Sequence, residues 1–223
     1  MTARKKMLAA VMAGGALVFP TVALADVFSV GVDPAGLAPA CPADCVVLAK
    51  VTGYQAKSGT TKGPMIVPQS GRIVAWSITL GKPTAEQRKF FEEDSGLGEA
   101  TANFTVLRAK KKLMSSVVQQ GPTVKLTKYF GKTVQFPLTR TISVKKGQVI
   151  ALTTPSWVPV MAVKQPNSTS WRASRGKGKC EDTTGKDYSQ TTIGTTVQYR
   201  CLYRGVQLLY GVTIVSNPTA AAP

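Results

Sequence analysis

The side chains with the most obvious chemistry in this sequence are four cysteines, placed as one close pair and one spaced pair. Cys41 and Cys45 lie in "PACPADCVVLAKV", and Cys180 and Cys201 follow far downstream. The chain has no histidine. A zinc site would need all four thiolates, yet the C-x3-C pair has no matching second pair, and a dithiol redox site uses C-x-x-C. An even number of cysteines without either pattern points to two disulfides. Three pairings are open. Proximity favours Cys41–Cys45 with Cys180–Cys201, because Pro42 and Asp44 are turn formers that bring the first pair within bridging distance. Loop entropy assigns roughly 2 kcal/mol to the short ring and roughly 3.4 kcal/mol to the longer one. A Cys41–Cys201 bridge would give roughly 5 kcal/mol on the same basis, so energetics does not decide the pairing.

Without histidine there is no Ser-His-Asp or Cys-His nucleophile and no common catalytic zinc site. Two carboxylates could still hydrolyse a glycoside, and the candidates are Glu92, Glu93, Asp94, Glu99, Glu181, Asp182 and Asp187. Most of these fall in one expected helix or one polar loop, and they read as solvated surface. No D-x-D-x-D-G loop is present; "CEDTTGKD" offers Glu181, Asp182 and Asp187 but lacks the calcium pattern. No phosphate-cradling glycine loop occurs either. The residues therefore assign no catalytic group, cofactor or metal. Asn103 and Asn167 match the glycosylation sequon, Asn103 within an expected strand.

Charge is the stronger signal. From Ala100 to Cys180 there are fifteen Lys or Arg and no acid. Arg108, Lys110, Lys111 and Lys112 form one run, and Arg172, Arg175 and Lys177 surround Trp171 in "NSTSWRASRGK". Such a field draws polyanions at long range. These seven cations with Trp171 are the expected ligand-binding residues, for an anionic polysaccharide or envelope polymer. Trp171 either stacks on a sugar ring or pins its loop to the body of the protein. Nucleic acid is the least expected partner, since no binding motif for it is present.

The positions of these residues depend on the segments that carry them. Arg4, Lys5 and Lys6 precede an uncharged apolar run, Met7 to Phe19, which ends at Pro20 and Ala23-Leu24-Ala25. That is the layout of a secretory signal peptide over residues 1–25, and the apolar run falls short of the roughly 20 residues that span a bilayer. No later stretch is long enough for a transmembrane helix. Cleavage would leave 25 Lys and Arg against 11 acids and lower the formal net charge from +17 to +14. Export also favours the disulfide reading, because such bonds persist outside the cytoplasm. The expected localisation is secreted or extracellular, with association to the cell envelope.

From Val46 onward the chain reads as eight to ten short strands. In "GRIVAWSITLG", Val74, Trp76, Ile78 and Leu80 alternate with smaller or polar residues. "ANFTVLRA", "TVQFPL", "SWVPVMAV", "TTVQYRCLY" and "GVQLLYGVTIV" continue the series, the last apolar enough to be central. Pro137 marks an edge or a bulge. "RTISVKKGQVIAL" suggests two strands around a tight turn at Gly147. One helix is expected in "KPTAEQRKFFEEDSG", where Thr84 and Gln87 form a capping box. The segment from Gln165 to Tyr188 reads as a long loop. The expected fold is all-β: a two-sheet antiparallel sandwich, jelly-roll-like in first preference and immunoglobulin-like in second, with one short helix. Residues 26–40 form a lead-in, 41–215 the sandwich and 216–223 a flexible tail.

A cysteine pair before a strand, then "PQSGRIVAWSI", "VLRA" and "FPLTRTISVKKGQVIAL", resembles exported β-sandwich proteins of uncharacterised function from actinobacteria and their relatives. The likeness spans residues 41–215 in order. It implies the sandwich fold and no activity. Three function classes follow: a non-catalytic binding module, a self-associating structural protein, and, last, a carboxylate-based glycan-active enzyme. Oligomeric state is not legible.

Overall fold

Short runs of alternating apolar and polar residues fold into fifteen strands, seen in a computed structural model that describes residues 25–182 and 185–218. In chain order they are β1 (Val27–Gly31), β2 (Leu48–Ser58), β3 (Thr61–Lys62), β4 (Gly71–Thr79), β5 (Thr101–Ala109), β6 (Met114–Gln120) and β7 (Val124–Lys125). There follow β8 (Thr133–Val144), β9 (Val149–Val158), β10 (Met161–Ala162), β11 (Ser170–Ala173), β12 (Thr196–Gln198), β13 (Cys201–Arg204), β14 (Gln207–Leu208) and β15 (Tyr210–Ser216). Helix α1 (Ala85–Lys89) lies between β4 and β5. The expected signal peptide, apart from Ala25, lies outside the described residues.

Two large antiparallel sheets face each other, and β10 pairs with β14 as a separate two-stranded ribbon. The smaller has the order β1-β15-β4-β8 and the larger β12-β6-β5-β9-β2-β11-β13, with β3 added to β2 and β7 to β5. One apolar core lies between them: Trp76 of β4 packs near Phe104 of β5 and Phe136 of β8, with Ile73, Ile78, Leu152, Tyr210 and Ile214 around them. The Tyr210 hydroxyl ties the sheets together, donating toward the carbonyls of Gly53 and Ile150. The fold is thus the all-β antiparallel sandwich that the alternation implies, while the jelly-roll connectivity stays an expectation. The apolar closing strand β15 is central, as its composition required.

Several boundaries differ from the sequence reading. β1 pairs with β15 along its whole length, so the sandwich begins at Val27 and not at residue 41. At the other end Ser216 closes β15 and Asn217 donates to the Ser70 carbonyl, so the tail starts later than residue 216; residues 219–223 lie outside the described set. In β4 the buried residue is Ile73, with Val74 half-buried, because a bulge at Val74 shifts the period-two phase before Trp76. Pro137 sits on edge strand β8, beside a bulge that leaves Leu138–Thr141 out of the pairing with β4. The Lys145–Gly147 turn forms, with Gly147 at φ +83°, but it carries the chain from the smaller sheet into the larger and makes no hairpin. "TTVQYRCLY" is not one strand: it breaks at Tyr199 and Arg200 into β12 and β13, the opposite edges of the larger sheet.

That break has a geometric consequence. Three Cα steps reach about 11 Å at most, whereas seven strands laid flat would hold the two edges about 29 Å apart. The larger sheet must therefore roll until its edges nearly meet. Tyr199 is fully buried in the closure, against Tyr54 of β2.

The helix has the predicted capping box. The Thr84 N–H donates to Gln87 Oε1 and the Gln87 N–H to Thr84 Oγ1, while Gln87 Nε2 donates to the Pro42 carbonyl. A single π-turn, Phe90–Asp94, follows and lays Phe91 against Trp157. Helix and cysteine turn thus cover one end of the sandwich together. Among the described residues no helix is long and apolar enough to cross a membrane.

Candidate functional site

Both disulfides join the favoured partners. Cys41 bonds Cys45 and Cys180 bonds Cys201, with Cα separations of 4.0 and 5.2 Å. The first closes the turn in which the Asp44 N–H donates to the Ala40 carbonyl, and Asp44 pairs with Lys164. The second fastens the chain between β11 and β12 to edge strand β13.

That chain does more than fill space. Thr52, Thr153 and Thr105 line up across β2, β9 and β5 on the face of the larger sheet turned away from the apolar core. Their hydroxyls are successively 2.8 and 2.6 Å apart along the row. Water would normally cover such a row. Here the segment after β11 does: Gln190 N–H donates to Thr52 Oγ1, Ser174 Oγ accepts from the Thr52 N–H and donates to the Tyr188 carbonyl, and Gln120 Nε2 donates to the Gln190 carbonyl. All three threonines are fully buried. The region expected as a long polar loop partly tied down by Cys180 therefore contains a strand, β11, followed by a cover over a buried polar row.

Trp171 lies in β11 and not in a loop, and is only 6% exposed. Its ring stacks on Tyr203 with centroids 4.7 Å apart, and it lies so close to Gly53 that a Cβ there would meet the ring at 2.8 Å. Of its two expected roles, the structure gives it the pinning one; the sugar-stacking face is occupied. Trp157 is likewise internal, donating its N–H to the Gly98 carbonyl.

Both runs of expected cations, in contrast, border the same segment. The five residues from Thr196 to Arg200 form a spine that touches both basic runs. On one side Lys110 Nζ is 3.3 Å from Thr196 Oγ1, Gln198 Nε2 donates to the Lys112 carbonyl, and the Tyr199 N–H donates to the Leu113 carbonyl. Arg108 stands in register with Ser116, and Ser116 with Thr196. On the other side Arg172 Nη1 donates to the carbonyls of Tyr199 and Arg200, and the Arg200 N–H donates to the Arg175 carbonyl. Lys177 follows Gly176, whose carbonyl is 3.7 Å from Cys201 Sγ. Arg108, Lys110, Lys111, Lys112, Lys177 and Arg200 are exposed. Arg88–Glu92, Lys125–Glu99 and Lys164–Asp44 form ion pairs outside this group.

Two of these cations are partly structural. Arg172 clamps the β12–β13 crossover, and Arg175 Nη1 donates to the Cys180 carbonyl and the Tyr203 hydroxyl while its guanidinium covers the Tyr188 ring. Their charge still adds to the field. Arg200 was missed because it lies beyond the acid-free span; the signal available was its place next to Cys201, which a disulfide to Cys180 draws toward Lys177.

Burial pushes the Tyr54, Tyr199 and Tyr210 phenols above their ordinary value, with Arg172 partly countering the shift at Tyr54. A hydrogen bond to Asp182 raises Tyr188.

Glu92 faces Arg88 and Glu99 is ion-paired to Lys125 at 2.7 Å. A cleft of about 640 Å3 beside α1 has Glu99 as its single lining acid. In "CEDTTGKD", Asp182 accepts from Tyr188 and Asp187 from the Ser189 N–H, and residues 183–184 lie outside the described set. Among the described residues no three His, Cys, Asp or Glu side chains are grouped to hold a metal. Asn103 is buried and bonded to the carbonyls of Phe104 and Gly121, which removes one sequon. A scan against protein-family models finds no match to this chain, and a search of the curated proteins finds no significant similarity.

Proposed function

We propose that this chain is an exported, non-catalytic binding module whose basic face holds an anionic envelope polymer or acidic glycan. The observation that carries the reading is that one five-residue spine, Thr196–Arg200, bonds Lys110 and Lys112 on one side and Arg172 and Arg175 on the other, with Arg108, Lys111 and Lys177 in the same basic runs and Arg200 in the spine itself. Exposed lysines on short connections adjust to many ligand geometries, which suits a repetitive polymer better than one small rigid ligand. Export is part of the same proposal. It rests on the leader pattern and on two formed disulfides, which an oxidising compartment maintains. So is kinship with the exported actinobacterial sandwiches that the strand motifs resemble.

Chromatography of the chain from Asp26 onward tests the binding directly, with dextran sulfate and neutral dextran as matched supports. Retention on the sulfated support alone is expected. It should vanish as salt rises, since screening shortens from about 10 Å at 0.1 M to about 3 Å at 1 M. Passage through the sulfated support at low salt would overturn the reading.

A further inference from the structure

The turn that carries three of the exposed lysines has a strained backbone. It joins β5 to β6 through Lys110–Leu113, and the Lys110 N–H donates to the Met114 carbonyl. Lys112 and Leu113 both stand in the left-handed region, at φ +59° and +60°. Hairpin turns often need such angles, and Asn or Gly ordinarily supplies them, because a bulky side chain is disfavoured there. The spine holds the strained pair in place: Gln198 Nε2 donates to the Lys112 carbonyl and the Tyr199 N–H to the Leu113 carbonyl. Strain that the surroundings maintain in this way clusters where a protein meets its ligands.

What the turn presents is an aliphatic side chain next to three cations. Leu113 is 37% exposed, and two more exposed aliphatic side chains border the same spine, Ile193 before it and Leu202 after it. Leu202 stands in register with Arg172 across β11 and β13, so the two share a face. A soluble polyanion has no hydrocarbon to offer these groups. The surface of an anionic bilayer offers both halves of the match: headgroup charge for the lysines and an acyl boundary for the aliphatic groups, with the lysine stems lying along it. We infer that Lys110–Leu113, with Ile193 and Leu202, docks this chain on an anionic lipid bilayer. Leu113 enters the boundary between headgroups and acyl chains while the lysines meet lipid phosphates. The inference rests on the basic face of the polymer reading and adds side chains that a polymer leaves unused.

Vesicle flotation of the chain from Asp26 onward tests this, with phosphatidylcholine alone in one set and phosphatidylcholine and phosphatidylglycerol in equal parts in the other. Binding to the mixed vesicles alone is expected. Leu113→Asn keeps every charge and accepts the left-handed backbone, so it isolates the aliphatic contact. It should lower binding to the mixed vesicles about tenfold, the order set by burying part of one leucine side chain, and leave dextran sulfate retention as it was. Ile193→Ser, at the most exposed of the three positions, should lower vesicle binding in the same direction, and thermal unfolding shows that each variant is folded. Absence of binding to the mixed vesicles, equal binding to the neutral ones, or undiminished vesicle binding by both folded variants would each overturn the inference, the last because charge alone would then explain adsorption. Passage of the unaltered chain through dextran sulfate with vesicle binding kept would overturn the polymer reading and leave this one standing.

Discussion

Trp171 shows how a single side chain changes meaning once its neighbours are known. In sequence it stands among polar and cationic residues, which suits an exposed ligand contact. In the structure the flanking Ser170, Arg172 and Ala173 form a four-residue strand whose partners, β2 and β13, lie more than a hundred residues before it and about thirty after it. A strand so short has no periodicity of its own to reveal it. Trp171→Ala should therefore cost about 3–5 kcal/mol, the usual range for emptying a buried tryptophan site. Denaturant unfolding measures this, and a loss below about 0.5 kcal/mol, the surface value, would return Trp171 to the solvent-facing reading. The tyrosines give a pH prediction. Unfolded phenols ionise near pH 10, while burial raises those of Tyr199 and Tyr210 in the folded chain. The folded state then keeps protons that the unfolded state releases. Stability is complete below about pH 10 and declines as pH rises beyond it. Absorbance at 295 nm should show that two of the six phenols ionise only with unfolding; six phenols titrating freely before unfolding would contradict their burial.

Among the elements, the segment between β11 and β12 departs most from its sequence. Gln165–Tyr188 is polar and glycine-rich, which correctly signals little regular structure, and the favoured Cys180–Cys201 bond correctly signals that it is tied down. What it covers was not legible. Thr52, Thr105 and Thr153 look in sequence like the wet positions of half-buried strands, and nothing local says that a distant segment replaces the water. Their burial follows from topology, as does the rolled sheet, which depends on the chain breaking at Tyr199–Arg200. By contrast the start of α1 was readable, because a capping box is a local device. Replacing Cys180 and Cys201 together by serine should cost about 3 kcal/mol by loop entropy. Hydrogen exchange should speed at the Thr52 and Gln190 amides, which bond Ser174 and Thr52 through this cover, and stay slow in β4 and β15. Uniform acceleration across both sheets would mean that the disulfide holds the whole sandwich and not this cover.

At the scale of the whole molecule, the two sheets are a scaffold and the charge is the feature they arrange. Alternation and turn residues made the all-β sandwich readable, because those signals are short-range. The convergence of Arg108–Lys112 with Arg172–Lys177 was not readable, because it needs the two edges of one sheet to meet. Not every cation joins this face. Lys128, Lys132 and Lys82 gather by the 3-10 turn at Thr127–Tyr129, near the end of β5 where Thr101 pairs with Lys125; Arg108 lies toward its other end. That second cluster supplies an internal control of equal charge. The decisive measurement is the salt dependence of dextran sulfate affinity for the Lys110, Lys111, Lys112→Ala variant against the Lys82, Lys128, Lys132→Ala variant. On this account the first lowers the slope of log K against log salt by about one for each lysine that no longer meets a sulfate, and the second leaves it close to that of the unaltered chain. Equal reductions in both would show that net charge alone governs binding, and would contradict a defined basic face.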